Sequence, residues 1–217
     1  MSIPHVIGGE ITSQELNDNF SYLDSYKAEV LEADTVVTVG SNGDFGTINM
    51  ALTMFTRTFP YYVQNGLKAE IRLLSGFVME EQVLIKGLDM GWITITSEEA
   101  EVMVNRSALT TPFTGNVYPL FGAEENAVLP VIDVLFNMDN SGTASGRHGF
   151  VIRDNSRAHF KEGAGCKNAG DRGLHVLNAS VVCADGVIFS GAGSDGVVAT
   201  GSSTVSVRGG NFSNTGH

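Results

Sequence analysis

The chain carries 24 acidic against 13 basic side chains over 217 residues, a formal charge of −11 that repels phosphate backbones and anionic bilayers, so neither nucleic acid nor membrane insertion is expected. Hydrophobic residues reach 42%, enough for a packed core, while 26 glycines and only 17% charged residues favour short strands and tight turns over surface helices. Two cysteines, Cys166 and Cys183, are too few for a disulfide framework or a cysteine-rich zinc site.

The opening MSIPHVIGGE lacks the basic and apolar regions of a signal peptide, which points to synthesis in a cytoplasm. Thr12-Ser-Gln-Glu15 then forms a capping box, flanked by Ile11 and Leu16 as a hydrophobic staple. Leu16, Phe20, Leu23, Lys27 and Val30 follow at spacings of four and three, a coiled-coil seam with one polar interruption. This pattern predicts a helix to about Ala33, and residues 1–35 are read as an oligomer stalk or docking helix. One amphipathic helix packed on its own domain is the other reading.

Residues 36–66 are expected to hold a first strand and a second helix. Ile48, Ala51, Leu52, Phe55 and Phe59 have helical spacing, and Pro60 marks a stop. An amphipathic helix here would cap the apolar end of the strands that follow.

From residue 67 to 217 the apolar residues alternate with period two, the mark of strands with one buried face. Ala69/Ile71/Leu73, Val83/Ile85, Ile93/Ile95 and Val102/Val104 are inward sets, and Ile132, Val134 and Phe136 supply one further strand. Arg106 to Val128, with Pro112, Gly115, Pro119 and Gly122, is read as an excursion or an irregular coil.

The C-terminal third repeats. GFVIRDNSRAHFKEGAGCKNAGDR starts at Gly149, GLHVLNASVVCADGVIFSGAGSD at Gly173, and GVVATGSSTVSVRGGNFSNTGH at Gly196, spacings of 24 and 23 residues. A serine stands seven places after each glycine: Ser156, Ser180 and Ser203. The first inward pairs are Phe150/Ile152, Leu174/Val176 and Val197/Ala199; the second are Ala158/Phe160, Val182/Ala184 and Val205/Val207. The third are Ala164/Cys166, Val187/Phe189 and Gly210/Phe212. Three strands per repeat of about 23 residues describe one coil of a right-handed parallel β-helix in an all-β fold.

Gly191-Ala-Gly-Ser-Asp-Gly196 matches the dinucleotide fingerprint, but the sequence after it has no helical period, so its glycines are read as turn residues and no cofactor is expected. Asp154, Glu162, Asp171, Asp185 and Asp195 are the acidic candidates for glycoside hydrolysis, and Asp171 and Asp195 occupy corresponding turns of neighbouring repeats. Acidic turn residues are commonplace, and no catalytic or metal-binding residue is assigned. His148, His159 and His175 show no metal spacing and no carboxylate in register; His159, His175 and Cys183 fall outward, Cys166 inward. Outward Val151, Val181 and Val198 suggest a subunit contact.

The helix SQELNDNFSYLDSYKAEV, the segment NGDFGTINMALTMF, the first strands AEIRLLSGFVMEEQVLIKG and GWITIT, and the 23-residue repeats together resemble the N-terminal part of bacteriophage tailspikes and neck or tail appendages. The resemblance implies a homotrimeric virion protein that docks to other tail or neck proteins through its N-terminal helices and projects a β-helix toward a host surface polysaccharide. It also implies that glycan-cleaving activity would reside in further C-terminal coils. A polysaccharide-degrading enzyme working in the groove of the coils present is the second expectation.

Overall fold

The computed structural model describes residues 33–56, 68–139 and 144–213, with the backbone of two short strands, Glu29–Val30 and Thr58–Phe59. In chain order the elements are β1 (Glu29–Val30), β2 (Thr35–Val39), α1 (Ile48–Phe55), β3 (Thr58–Phe59), β4 (Ala69–Leu73), β5 (Val78–Met79), β6 (Val83–Lys86), β7 (Ile93–Ser97) and β8 (Val102–Val104). A 3-10 turn, Arg106–Ala108, leads to β9 (Tyr118–Glu124), β10 (Val131–Asp133), β11 (Leu135–Met138), β12 (Arg147–Ile152), β13 (Arg157–His159) and β14 (Gly165–Lys167). The last are β15 (Leu174–Val176), β16 (Val181–Cys183), β17 (Val197–Ala199) and β18 (Thr204–Ser206).

The structure is mostly β, and every pairing between these strands is parallel. The larger sheets run β10-β7-β4-β2, β14-β11-β8-β5, β17-β15-β12-β9-β6 and β13-β16-β18. Neighbours in a sheet are therefore equivalent strands of successive repeats. Phe150 faces Leu174, which faces Val197; Ala158 faces Val182, which faces Val205. The expected inward residues of β4, β6, β7, β8, β12 and β15 are all buried.

Five phenylalanines fill the centre. Phe150 stacks on Phe121 at 5.3 Å, meets Phe160 edge-on at 4.7 Å, and lies 6.0 Å from Phe189. Phe136 joins Phe121 at 5.3 Å, and Phe212 extends the column beyond Phe189 at 6.5 Å. Offset and edge-on ring pairs of this kind add to the stabilisation from burial.

The repeat glycines answer to this packing. A Cβ on Gly149 would stand 2.5 Å from the Gly173 carbonyl oxygen and 2.8 Å from Cys166 Cβ. On Gly173 it would stand 2.6 Å from the Gly196 oxygen and 2.8 Å from Phe189 Cβ. The serine seven places on forms a ladder: the Ser156 N–H donates to Ser180 Oγ at 3.2 Å, and the Ser180 N–H to Ser203 Oγ at 3.3 Å. Between glycine and serine the chain turns through two left-handed residues, Asp154-Asn155, Asn178-Ala179 and Gly201-Ser202, and Glu125-Asn126 makes the same corner one repeat earlier. Asp and Asn tolerate that conformation because their short side chains bond locally; Asn178 Nδ2 donates to Asp154 Oδ1 at 2.7 Å.

Helix α1 has four of its five expected face residues buried, Ile48, Ala51, Leu52 and Phe55, with Phe55 edge-on to Trp92 at 5.4 Å, but it ends at Phe55, and Phe59 lies in strand β3 instead. Thr47 caps it, and Glu81 accepts the Ile48 N–H at 2.5 Å and the Asn49 N–H at 3.1 Å. A carboxylate at a helix N-terminus meets both free N–H groups and the positive end of the dipole. Burial nevertheless raises the Glu81 carboxyl above the ordinary range.

Four expectations are corrected. At Glu29–Val30 the backbone is a strand paired with Thr58–Phe59, so the N-terminal helix does not run on to Ala33. Tyr118–Glu124, read as excursion, is the seven-residue strand β9 next to the centre of the five-stranded sheet. It carries Pro119 and Gly122, and both its faces are buried, because the Phe113 ring packs over Gly122; no alternation was left to see. The single strand through Ile132, Val134 and Phe136 is two strands in different sheets, with Val134 at the corner between β10 and β11. Val151, paired with Gly122, is buried and is no part of an outer patch, whereas Val181 is exposed.

Candidate functional site

Three residues precede the repeat glycines: His148, Arg172 and Asp195. Parallel register stacks them, since Phe150 pairs with Leu174 and Leu174 with Val197. One place earlier, Arg147 and Asp171 stack the same way, and Arg147 pairs with Tyr118 below. The result is a compact polar cluster on the outside of the β12-β15-β17 wall.

Its geometry is layered. The His148 and His175 rings stack at 5.8 Å with 24° between planes. His148 Nε2 lies 3.6 Å from Asp171 Oδ2. Arg172 Nη1 is 3.3 Å from His175 Nδ1 and 3.4 Å from Nε2, so the guanidinium lies over the ring and does not bond a single nitrogen. Arg172 Nε also reaches Asp195 Oδ2 at 3.3 Å, and Ser194 Oγ donates to the same oxygen at 3.0 Å. The Arg147 guanidinium sits 4.1 Å from the centre of the Tyr118 ring.

His148 is 2% exposed, and its Nδ1 has no hydrogen-bond partner among the described residues. Burial pushes its pKa down to about 4; Asp171 opposes the shift, and His175 and Arg172 add to it. His175 is also pushed down to about 4, by burial first and then by Arg172, against the pull of Asp171 and Asp195. Both imidazoles are neutral at pH 7.

Asp171 and Asp195 are thus gathered on one cluster, as their equivalent turns suggested. The other acidic candidates stand apart. Asp154 is bonded to Asn178 and Arg153, which hold its carboxyl below the usual range. Asp185 is held down at about 2 by hydrogen bonds from the Ser206 hydroxyl, then from the Arg208 side chain and backbone N–H. A general acid needs the opposite displacement. Glu162 packs against Gly186 on the next repeat.

The histidine–carboxylate contact went unseen in the sequence because its partners lie 23 residues apart. The signal was present in the repeat alignment, in the two columns before the glycines, which read Arg-His, Asp-Arg and Ser-Asp. Of the stalk or docking residues, Leu16, Phe20, Leu23 and Lys27 lie outside the described residues, and Val30 lies in β1. Cys166 is buried, its thiol pushed up to about 12 by burial, and Cys183 is exposed. The GAGSDG stretch leads into strand β17, without the helix that a dinucleotide site requires, and a Cβ at Gly191 would lie 2.3 Å from Asn168 Oδ1. Among the described residues no three His, Cys, Asp or Glu gather as a metal site, and no helix is long and apolar enough to cross a membrane. No protein-family model matches the chain, and no curated protein is significantly similar to it.

Proposed function

We propose that the chain is the N-terminal part of a bacteriophage tailspike or of a tail or neck appendage. In this reading the parallel sheets are the walls of one right-handed β-helix with three strands per coil. Residues 1–35 dock the protein to the virion and hold three copies together, α1 caps the helix, and the coils project toward a host surface polysaccharide. No cofactor or metal takes part.

The observation that carries this reading is the in-register stacking of equivalent strands from one repeat to the next. Each repeat lengthens such a stack by one strand spacing, about 4.8 Å, and presents the same outer columns again. That is the geometry of a projecting rod. The wall carboxylates Asp154, Asp185 and Asp195 are engaged by Arg153, Arg208 and Arg172, which supports a surface made for contact over one made for turnover.

Light scattering after size exclusion at low micromolar concentration tests the reading. The expected mass is three times the 23.0 kDa of one chain. A clean monomer would remove the stalk and with it the fibre.

A further inference from the structure

We propose that the His148–His175 stack is an acid-sensitive catch between successive repeats, closed at neutral pH and opened when both rings are protonated.

His148 belongs to β12 and His175 to β15, the next strand of the same sheet. Their stacking joins the outer faces of two repeats. The charged groups that face them are Asp171 and Arg172, in the turn before β15, and Asp195, in the turn before β17. Below, β9 offers only Pro119 opposite His148, while Arg147 is turned onto Tyr118.

A first proton on His148 is already resisted, because burial outweighs the attraction of Asp171 beside it. A second is resisted further. A charged His175 would face charged His148 across the stack and the Arg172 guanidinium 3.3 Å from its ring, with the one remaining carboxylate, Asp195, already engaged by Arg172. Like charges at such separations in a half-buried setting repel strongly. The rings would part, and the hold of β12 on β15 would weaken with them.

Both histidines titrate near 4 in the folded protein against 6.5 for a free side chain. The closed form therefore disfavours protons that the open form accepts. Its stability is full above pH 6.5 and is lost as the pH falls toward 4. For a fully shielded ring, that displacement changes the open–closed equilibrium on the order of a hundredfold at pH 4.

Hydrogen exchange of the full chain between pH 7 and 4, corrected for intrinsic rates, tests the catch, together with the imidazole C–H resonances. The expected result is loss of protection in β12, β15 and β17 before β4 and β7, reversed on return to pH 7, with both rings titrating near 4. In His175→Gln, which removes one of the two titrating rings and the charge facing His148, the acid-induced loss should be clearly smaller than in the unsubstituted chain. Imidazoles titrating near 6.5, equal loss in all sheets, or an unchanged loss in His175→Gln would each overturn the proposal. Should His175→Gln fail to fold, the resonances and exchange pattern of the unsubstituted chain still decide it.

Discussion

Gly173→Val should be among the most damaging single substitutions in the chain. The new Cβ alone would sit 2.6 Å from the carbonyl oxygen of Gly196, which opens the next repeat, and 2.8 Å from Phe189 Cβ in its own. The obstacle is backbone and a ring root, so no flexible side chain can yield. Overpacking of this kind costs about 3 kcal/mol or more, a fall in melting temperature of about 6–12 °C for a domain of this size. Gly46→Ala is the control, since nothing lies within 4 Å of the added methyl. Thermal unfolding followed by circular dichroism should separate the two clearly. Equal melting would mean that the repeats do not stack at this column.

Phe150→Ala should cost about 3–5 kcal/mol, the usual range for a buried ring replaced by a methyl. Phe150 touches Phe121, Phe136, Phe160 and Phe189, which belong to the repeats before and after it and to neighbouring walls. No neighbour can collapse into the space without leaving its own place in the column. Phe212, also in the aromatic column but at its end and only partly buried, should lose much less as Phe212→Ala. Urea unfolding of the two variants measures the difference, and a loss at Phe150 no larger than at Phe212 would contradict a continuous aromatic core.

Much of this was legible in the sequence, and the reason is local. A residue two places along a strand shares its face, so Phe150/Ile152 and Leu174/Val176 declare an inward side without any knowledge of their partners. The glycine and serine columns were legible as spacings, although their causes, a carbonyl 2.6 Å away and a hydroxyl ladder, were not. What escaped depends on contacts between repeats or on cover from a loop. Strand β9 hides its alternation because Phe113 buries its outer face. Val134 gives no sign that it is a corner, since an inward residue at a bend keeps the apolar rhythm. The pairing of His148 with Asp171 requires register, which one strand cannot specify alone.

Equivalent strands of successive repeats lie side by side in one register. Cys183 offers the most direct test, because it is exposed and pairs with Ser206 on the next repeat. Strands about 4.8 Å apart bring paired residues within the span of a disulfide. Ser206→Cys should therefore form, on mild oxidation, a bond between Cys183 and the introduced thiol, read by mass spectrometry of a digest, while Cys166 stays reduced in the core. Free thiols at both positions, or a bond from either to Cys166, would contradict the stacked register on which the account depends.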